Sequence, residues 1–210
     1  MTDDIARLIG AVTREVRNET YDGKAAKVVV ASRVYETDID DLWDAITNAE
    51  RLPRWFAPVE GDFRLGGRCQ VQGNASGTIS RCEPPRELAL TWEFGGGVSW
   101  VEVRLRPEGE TTHLELRHIA HPEEHWDKYG PGAVGIGWEL GLMGLDKHLA
   151  NPGALRPPEA DEAWFGSPPA KQFIRASAEG WGAADIAGGA KADHAREAAE
   201  ATRKFYSGEG

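Results

Sequence analysis

The stretch from Ala133 to Ala150, AVGIGWELGLMGLDKHLA, constrains this chain more than any other. At 100° per residue, Val134, Trp138, Leu142, Leu145 and Leu149 fall on one arc, and Ile136, Leu140 and Met143 on a second. The spacing predicts a long helix covered on two sides. Gly137, Gly141 and Gly144 lie between the arcs, and only Gly135, Glu139 and Asp146 cluster on what reads as a solvated face. An interior glycine costs a helix roughly 1 kcal/mol relative to alanine, so three on one stripe need a steric reason. Another backbone or a ligand must come close along it. Close helix packing explains the stripe without any ligand.

The rest of the chain supplies partners for those two arcs. Lys27 to Tyr35, KVVVASRVY, is rich in β-branched residues and predicts a strand. The period then switches: Thr37 or Asp38 can cap a helix whose Ile39, Leu42, Trp43 and Ile46 recur at helical spacing, and ERLPRWF predicts a second, short helix. From Asp62 the pattern is β. Leu88, Leu90, Trp92 and Phe94 share one face, as do Val101, Val103 and Leu105, and Leu114, Leu116 and His118. The alternate positions carry Glu87, Glu93, Glu102, Arg104, Glu115 and Arg117, as expected of an antiparallel meander with one wet face. HPEEHWDKYGPG reads as a loop before the long helix. Ahead of all this, Ile5, Leu8, Ile9, Val12 and Val16 predict an amphipathic lead-in helix.

A chain of 210 residues holds one good core plus an appendage, or two small domains. The net charge of −10 argues against a nucleic-acid surface, which needs a basic stripe that is missing here. The N-terminus has no uninterrupted apolar core of the kind a secretory signal requires, and no run reaches the ~18 apolar residues of a spanning helix. A cytoplasmic protein with no membrane insertion is the expectation. Cys69 and Cys82 are too few for a disulfide framework. If GNAS at Gly73 to Ser76 closes a hairpin, the two lie near each other on neighbouring strands; they read as reduced core thiols.

Four segments together, VYETDIDDLWDAITNAERLPRWFAPVEGDFRLGG, GTISRCEPPRELALTWEF, VEVRLRPEGETTHLELRH and GWELGLMGLDKHL, resemble the AHSA-type (activator of Hsp90 ATPase homologue) branch of the START-like, or SRPBCC, superfamily. The resemblance covers about Val28 to Leu149. It implies an α+β helix-grip fold, a curved antiparallel sheet wrapped around a long helix with a deep pocket between them. It fixes no activity, because the superfamily includes lipid and hormone binders, polyketide cyclases, oxygenase ligand domains and co-chaperone domains. The additional N-terminal domain of the co-chaperone members, with its asparagine- and tryptophan-rich motif, has no counterpart here. The expected organisation is a lead-in helix over 1–25, the helix-grip domain over 26–150 and a helical C-terminal extension over 151–210. In that extension PGALRPPEADEAWFGSPP reads as linker, with Trp164 and Phe165 as an anchor. Ser167 and Pro168 start a helix with the apolar face Phe173, Ile174, Ser177 and Trp181, and a final alanine-rich helix runs from Ala192 to Tyr206. Neither helix has the bulk for its own core, so both should dock, on the glycine stripe or on a dimer partner; as a lid, a core supplement or a dimer contact.

The expected pocket lining is Trp55, Phe56, Trp92, Val101, Val103, Leu116, His118, Trp138, Leu142 and Leu145. Aromatic walls suit a greasy ligand and equally suit a dry core. Trp43 shares the predicted inward faces, whereas Trp100 beside Glu102 points outward, toward a surface contact or cover by the tail. His118 is either a core histidine satisfied by a neighbour or a polar contact to a ligand, including a general acid or base. His121 and His125 follow it with Glu123 and Glu124 between, but Pro122 makes a solvated turn the better reading, and neither a metal nor a cofactor is expected. No nucleophile elbow or phosphate-binding glycine loop is present. Cyclase-type chemistry needs only a shaped pocket and one or two polar groups, so the missing motifs weigh against an enzyme and leave that reading open. The expected function is therefore binding of a small hydrophobic molecule. The alternatives are a co-chaperone-like interaction module, which would bind a chaperone's middle domain, and an aromatase- or cyclase-like enzyme.

Overall fold

The computed structural model describes residues 9–154 and 162–209. Positions 5–8 of the expected lead-in helix and 155–161 of the expected linker lie outside the described residues. The fold is α+β: among the described residues, a curved eight-stranded antiparallel sheet with the order β1-β2-β8-β7-β6-β5-β4-β3, and six complete α-helices. The strands are β1 (Thr13–Tyr21), β2 (Lys24–Tyr35), β3 (Val59–Gly61), β4 (Arg68–Val71), β5 (Ser76–Glu83), β6 (Glu87–Phe94), β7 (Gly97–Glu108) and β8 (Thr111–Ala120). Between β2 and β3 come α1 (Ile39–Thr47) and α2 (Leu52–Trp55); after β8 come α3 (Glu124–Tyr129), the long α4 (Gly132–Ala150), α5 (Pro168–Ala187) and α6 (Ala192–Ser207). The capping signals act as written. The Asp38 side chain accepts the Asp41 N–H at 2.9 Å, and the Ser167 side chain accepts from Ala170.

Two expectations fail at this level. The lead-in helix does not continue through Val16, because Thr13 onward is β1. Asp22 and Gly23, with φ of 49° and 74°, form the two-residue turn between β1 and β2. An Asp-Gly pair adopts positive φ at both positions easily and matches the twist of a hairpin, which outweighs the helical spacing of a few apolar residues. The segment HPEEHWDKYGPG likewise contains a helix, α3, where a loop was expected.

The chain forms two compact units. One comprises residues 9–31, 121–143 and 162–209. Its centre is Trp181 of α5, fully buried with its indole against Gly135 of α4. A Cβ at Gly135 would lie 2.3 Å from the ring, so only glycine fits. One turn on, Glu139 is 1% exposed and receives Arg14 of β1 through two hydrogen bonds, at 2.6 and 2.7 Å. The α6 helix closes this unit. Its Thr202 hydroxyl donates to the Tyr129 carbonyl at 2.6 Å, and the Tyr206 hydroxyl to that of Ala133 at 2.9 Å. Gly135 and Glu139 thus belong to a buried face rather than a solvated one. The tail docks there more than on the Gly137–Gly144 stripe: Arg14 neutralises the carboxylate and Trp181 fills the space that glycine leaves.

The other unit comprises residues 32–120 and 144–154. Here Gly144 of α4 meets the backbone of α2, where a Cβ would come within 2.4 Å of the Trp55 carbonyl oxygen. That is the close approach the stripe implied, and its partner is backbone. Asp146, half-buried, is ion-paired with Arg33 of β2. Leu42 and Ala45 of α1, Leu52, Val101, Leu105, Leu114, Leu116 and Leu145 are buried. The opposite sheet face carries a ladder of ion pairs, Arg81–Glu87, Arg104–Glu87 and Arg117–Glu102. Cys69 lies opposite Gly77 in the β4–β5 register. Cys82 is five residues further along β5, about 17 Å at strand rise. The two thiols are free and not neighbours, correcting the expected proximity. Burial pushes the Cys69 thiol pKa up.

Candidate functional site

The pairing of β6, β7 and β8 puts the predicted strand residues on one face. Leu88, Leu90 and Trp92 lie opposite Val103, Val101 and Ser99, and Val103 and Val101 lie opposite Leu116 and His118. Exposure rises across that face. Leu116 and His118 on β8 are buried at 5%, Val101 on β7 is buried and Val103 half-buried. On β6 all three of Leu88, Leu90 and Trp92 are half-buried. Three adjacent apolar side chains therefore remain partly wet on a face whose Val101 and β8 members are dry. Phe94, at the end of the same row, is 62% exposed and lies outside the core.

His118 is held at the dry end of this row. Its Nε2 is 2.9 Å from the Ser99 hydroxyl, which itself donates to the Trp92 carbonyl at 3.1 Å. A hydroxyl has one proton, so Ser99 accepts from His118, and the imidazole is the tautomer protonated at Nε2. The Trp92 ring stands edge-on to the imidazole with centroids 6.5 Å apart. Burial lowers the His118 pKa to about 4, so it is neutral at physiological pH. It is a satisfied polar group beside an apolar surface and a poor proton carrier near pH 7.

Trp55 and Phe56 follow from α2, a single turn with Pro53 near its start. Their rings touch at 5.5 Å, and the Trp55 indole N–H donates to the Ala45 carbonyl at 3.0 Å. Both are half-buried, while Leu145 is fully buried. These residues belong to the same unit as the strand set. Trp138, half-buried, and Leu142, 4% exposed, belong to the other.

Two polar groups in the Ser32–Ala120 unit escaped the sequence reading. Arg51 bonds Asp41 at 2.7 Å and Asp44 at 2.9 Å, and its Nε donates to His148 Nε2 at 3.2 Å. Burial opposes ionisation of Asp41, but hydrogen bonds from Thr37 and Arg51 outweigh it and hold the carboxyl below its ordinary range. This network ties α1 and α2 to the last turns of α4. The second group is Arg33, 3% exposed, with Tyr35 buried two residues on and Val34 between them 44% exposed. Its guanidinium lies 5.2 Å from the Tyr35 ring centroid and is ion-paired through Nη2 with Asp146. A charged residue on a buried alternate of a β-branched strand was the available signal.

His121 and His125 have separate partners. His121 Nδ1 is 2.9 Å from the Ala25 carbonyl, and the His125 ring is 4.8 Å from that of Tyr129. Among the described residues no group of three or more His, Cys, Asp or Glu side chains is placed to hold a metal ion, and no helix is long and apolar enough to cross a membrane. A groove of about 500 Å³ runs between α5 and α6, lined by Arg175, Glu179, Glu200 and Arg203 over small side chains.

A curved antiparallel sheet, two short helices inserted after its second strand and one long helix after its last define a START-like helix-grip protein. The chain belongs to the family described as activator of Hsp90 ATPase homolog 1-like protein, whose model matches residues 36–150. It is similar to CalU16 from Micromonospora echinospora. The CalU16 crystal structure is 33% identical, with 86% of this chain and 99% of that one covered at a TM-score of 0.68. The CalU16 solution structure is 35% identical, with 85% and 97% covered at 0.69. Protein MLL2253 from Mesorhizobium loti, 20% identical over 60% of this chain and 99% of its own, shares the fold at a TM-score of 0.54. A search of curated proteins finds no match.

Proposed function

We propose that this protein binds a small hydrophobic molecule against the β6–β8 face that carries Trp92, Val101, Val103, Leu116 and His118. The observation that carries the reading is the half-buried row of Leu88, Leu90 and Trp92 on a face whose Val101, Leu116 and His118 are buried. Leaving three adjacent apolar side chains partly in water forgoes on the order of 25 cal/mol for each Å² that a ligand could cover. The neutral His118 and its Ser99 partner add no charge that would oppose an apolar guest. With a pKa near 4, His118 does not exchange protons efficiently at neutral pH, so binding is favoured over acid–base catalysis at this face.

Native mass spectrometry of protein purified from its own host, followed by denaturing extraction, tests the proposal together with a thermal-shift panel of apolar compounds. A co-purifying small molecule or a compound that raises the melting temperature is expected. In Leu90→Glu, which puts a carboxylate into the row at a half-exposed position, that effect should vanish. Protein that is isolated empty, ignores the whole panel and instead associates with a chaperone would sink the reading.

A further inference from the structure

Arg33 combines two properties that rarely coexist without an occupant: its side chain is 2% exposed, and both Nε and Nη1 are buried without a hydrogen-bond partner among the described residues. Among the described residues only Nη2 is engaged, by Asp146. Buried guanidinium donors are ordinarily all matched, because each unmatched one carries a full desolvation penalty. Asp146 already balances the charge, with its own side chain 23% exposed. A carboxylate or phosphate brought to the spare donors would leave the cluster with an uncompensated negative charge away from water. A carbonyl oxygen would satisfy the donors and add no charge. The Tyr35 ring flanks the guanidinium and supplies an apolar wall beside it.

We propose that the hydrophobic ligand is an uncharged molecule carrying a carbonyl group, a ketone, quinone or ester, whose oxygen accepts from Arg33. This rests on the apolar-binding reading above and names the chemical class that the site selects. Asp146 is then a positioning residue: it holds the guanidinium and cancels its charge without touching the ligand.

Three probes of one size separate the possibilities: 2-acetylnaphthalene, 2-ethylnaphthalene and 2-naphthoate, each titrated by calorimetry into the full chain. The ketone is expected to bind about tenfold tighter than the hydrocarbon, the increment of one hydrogen bond to a charged donor, and the carboxylate more weakly than the ketone. Arg33→Lys keeps the charge opposite Asp146 but withdraws the fixed Nε and Nη1 donors of the guanidinium fork and draws its compact ammonium to the carboxylate, and should narrow the gap between ketone and hydrocarbon. An infrared reading on the unmodified protein covers the case in which that variant fails to fold: the carbonyl stretch of bound 2-acetylnaphthalene should fall below its frequency in hexane. Equal binding of ketone and hydrocarbon with an unshifted carbonyl would overturn the Arg33 anchor while the apolar site stands. Tightest binding of the carboxylate would overturn the uncharged class. Failure of both the ketone and the hydrocarbon to bind would overturn the anchor and the apolar site together.

Discussion

At the scale of single residues, one helix contains glycines of opposite value. At Gly135 an added Cβ collides with the fully buried Trp181 ring, and at Gly144 with a backbone carbonyl; neither neighbour can move aside. Gly135→Ala is expected to destabilise by about 2 kcal/mol, overpacking exceeding the gain in helix propensity. At Gly137 the nearest atom is the Tyr206 hydroxyl at 3.4 Å, and the position is exposed. Gly137→Ala should therefore stabilise by up to about 1 kcal/mol. Urea denaturation midpoints of the two variants, moving in opposite directions, check both. His118 gives a pH signature. Its folded pKa of about 4 lies below the ordinary 6.5, so the unfolded chain takes up this proton first as pH falls. Its share of stability is complete above pH 6.5, declines from 6.5 toward 4 and is gone below, a span of about 3 kcal/mol. His118→Gln should flatten the stability profile through that window, read as urea midpoints against pH; an unchanged slope would contradict a buried neutral imidazole.

At the scale of elements, legibility followed how local the cause was. The α1 and α5 helices were readable because their caps and apolar faces are written within a dozen residues, and Phe173, Ile174, Ser177 and Trp181 are all buried as their spacing predicts. The wet or dry status of a face depends on distant chain. Glu139 and Gly135 read as solvated because the residues that cover them, Arg14 and Trp181, lie 125 positions before Glu139 and 46 after Gly135. In the candidate site, the shared face of Trp92, Val101, Val103, Leu116 and His118 followed from strand alternation alone. The Ser99 partner of His118 and the role of Arg33 needed the strand register and the α4 contact. The buried Trp181 makes the extension a structural part of its unit. Trp181→Ala is expected to cost about 3–5 kcal/mol, and removal of residues 162–210 to leave Gly135 uncovered and the remaining chain aggregation-prone. Size-exclusion chromatography and circular dichroism of the truncated chain test this; a monomeric, cooperatively melting fragment would contradict it.

At the scale of the whole molecule, the charge of −10 acts on whatever approaches. An acidic protein slows the encounter with anions at low ionic strength and leaves neutral molecules unaffected, because the field acts on net charge and salt screens it over about 10 Å at 0.1 M. Inside the site the Arg33–Asp146 pair is balanced, and outside it the surface is negative, so both levels discriminate against carboxylates and neither against ketones. The two levels separate kinetically: surface charge alters the association rate, whereas the Arg33 donors alter dissociation. Raising salt from about 0.02 to about 0.5 M should leave the association rate of 2-acetylnaphthalene unchanged, while any binding of 2-naphthoate accelerates as screening sets in. Stopped-flow tryptophan fluorescence reads both rates, with Trp92 in the half-buried row as the reporter. A salt-sensitive rate for the neutral ketone would mean that a charged step, rather than burial of apolar surface, limits its entry.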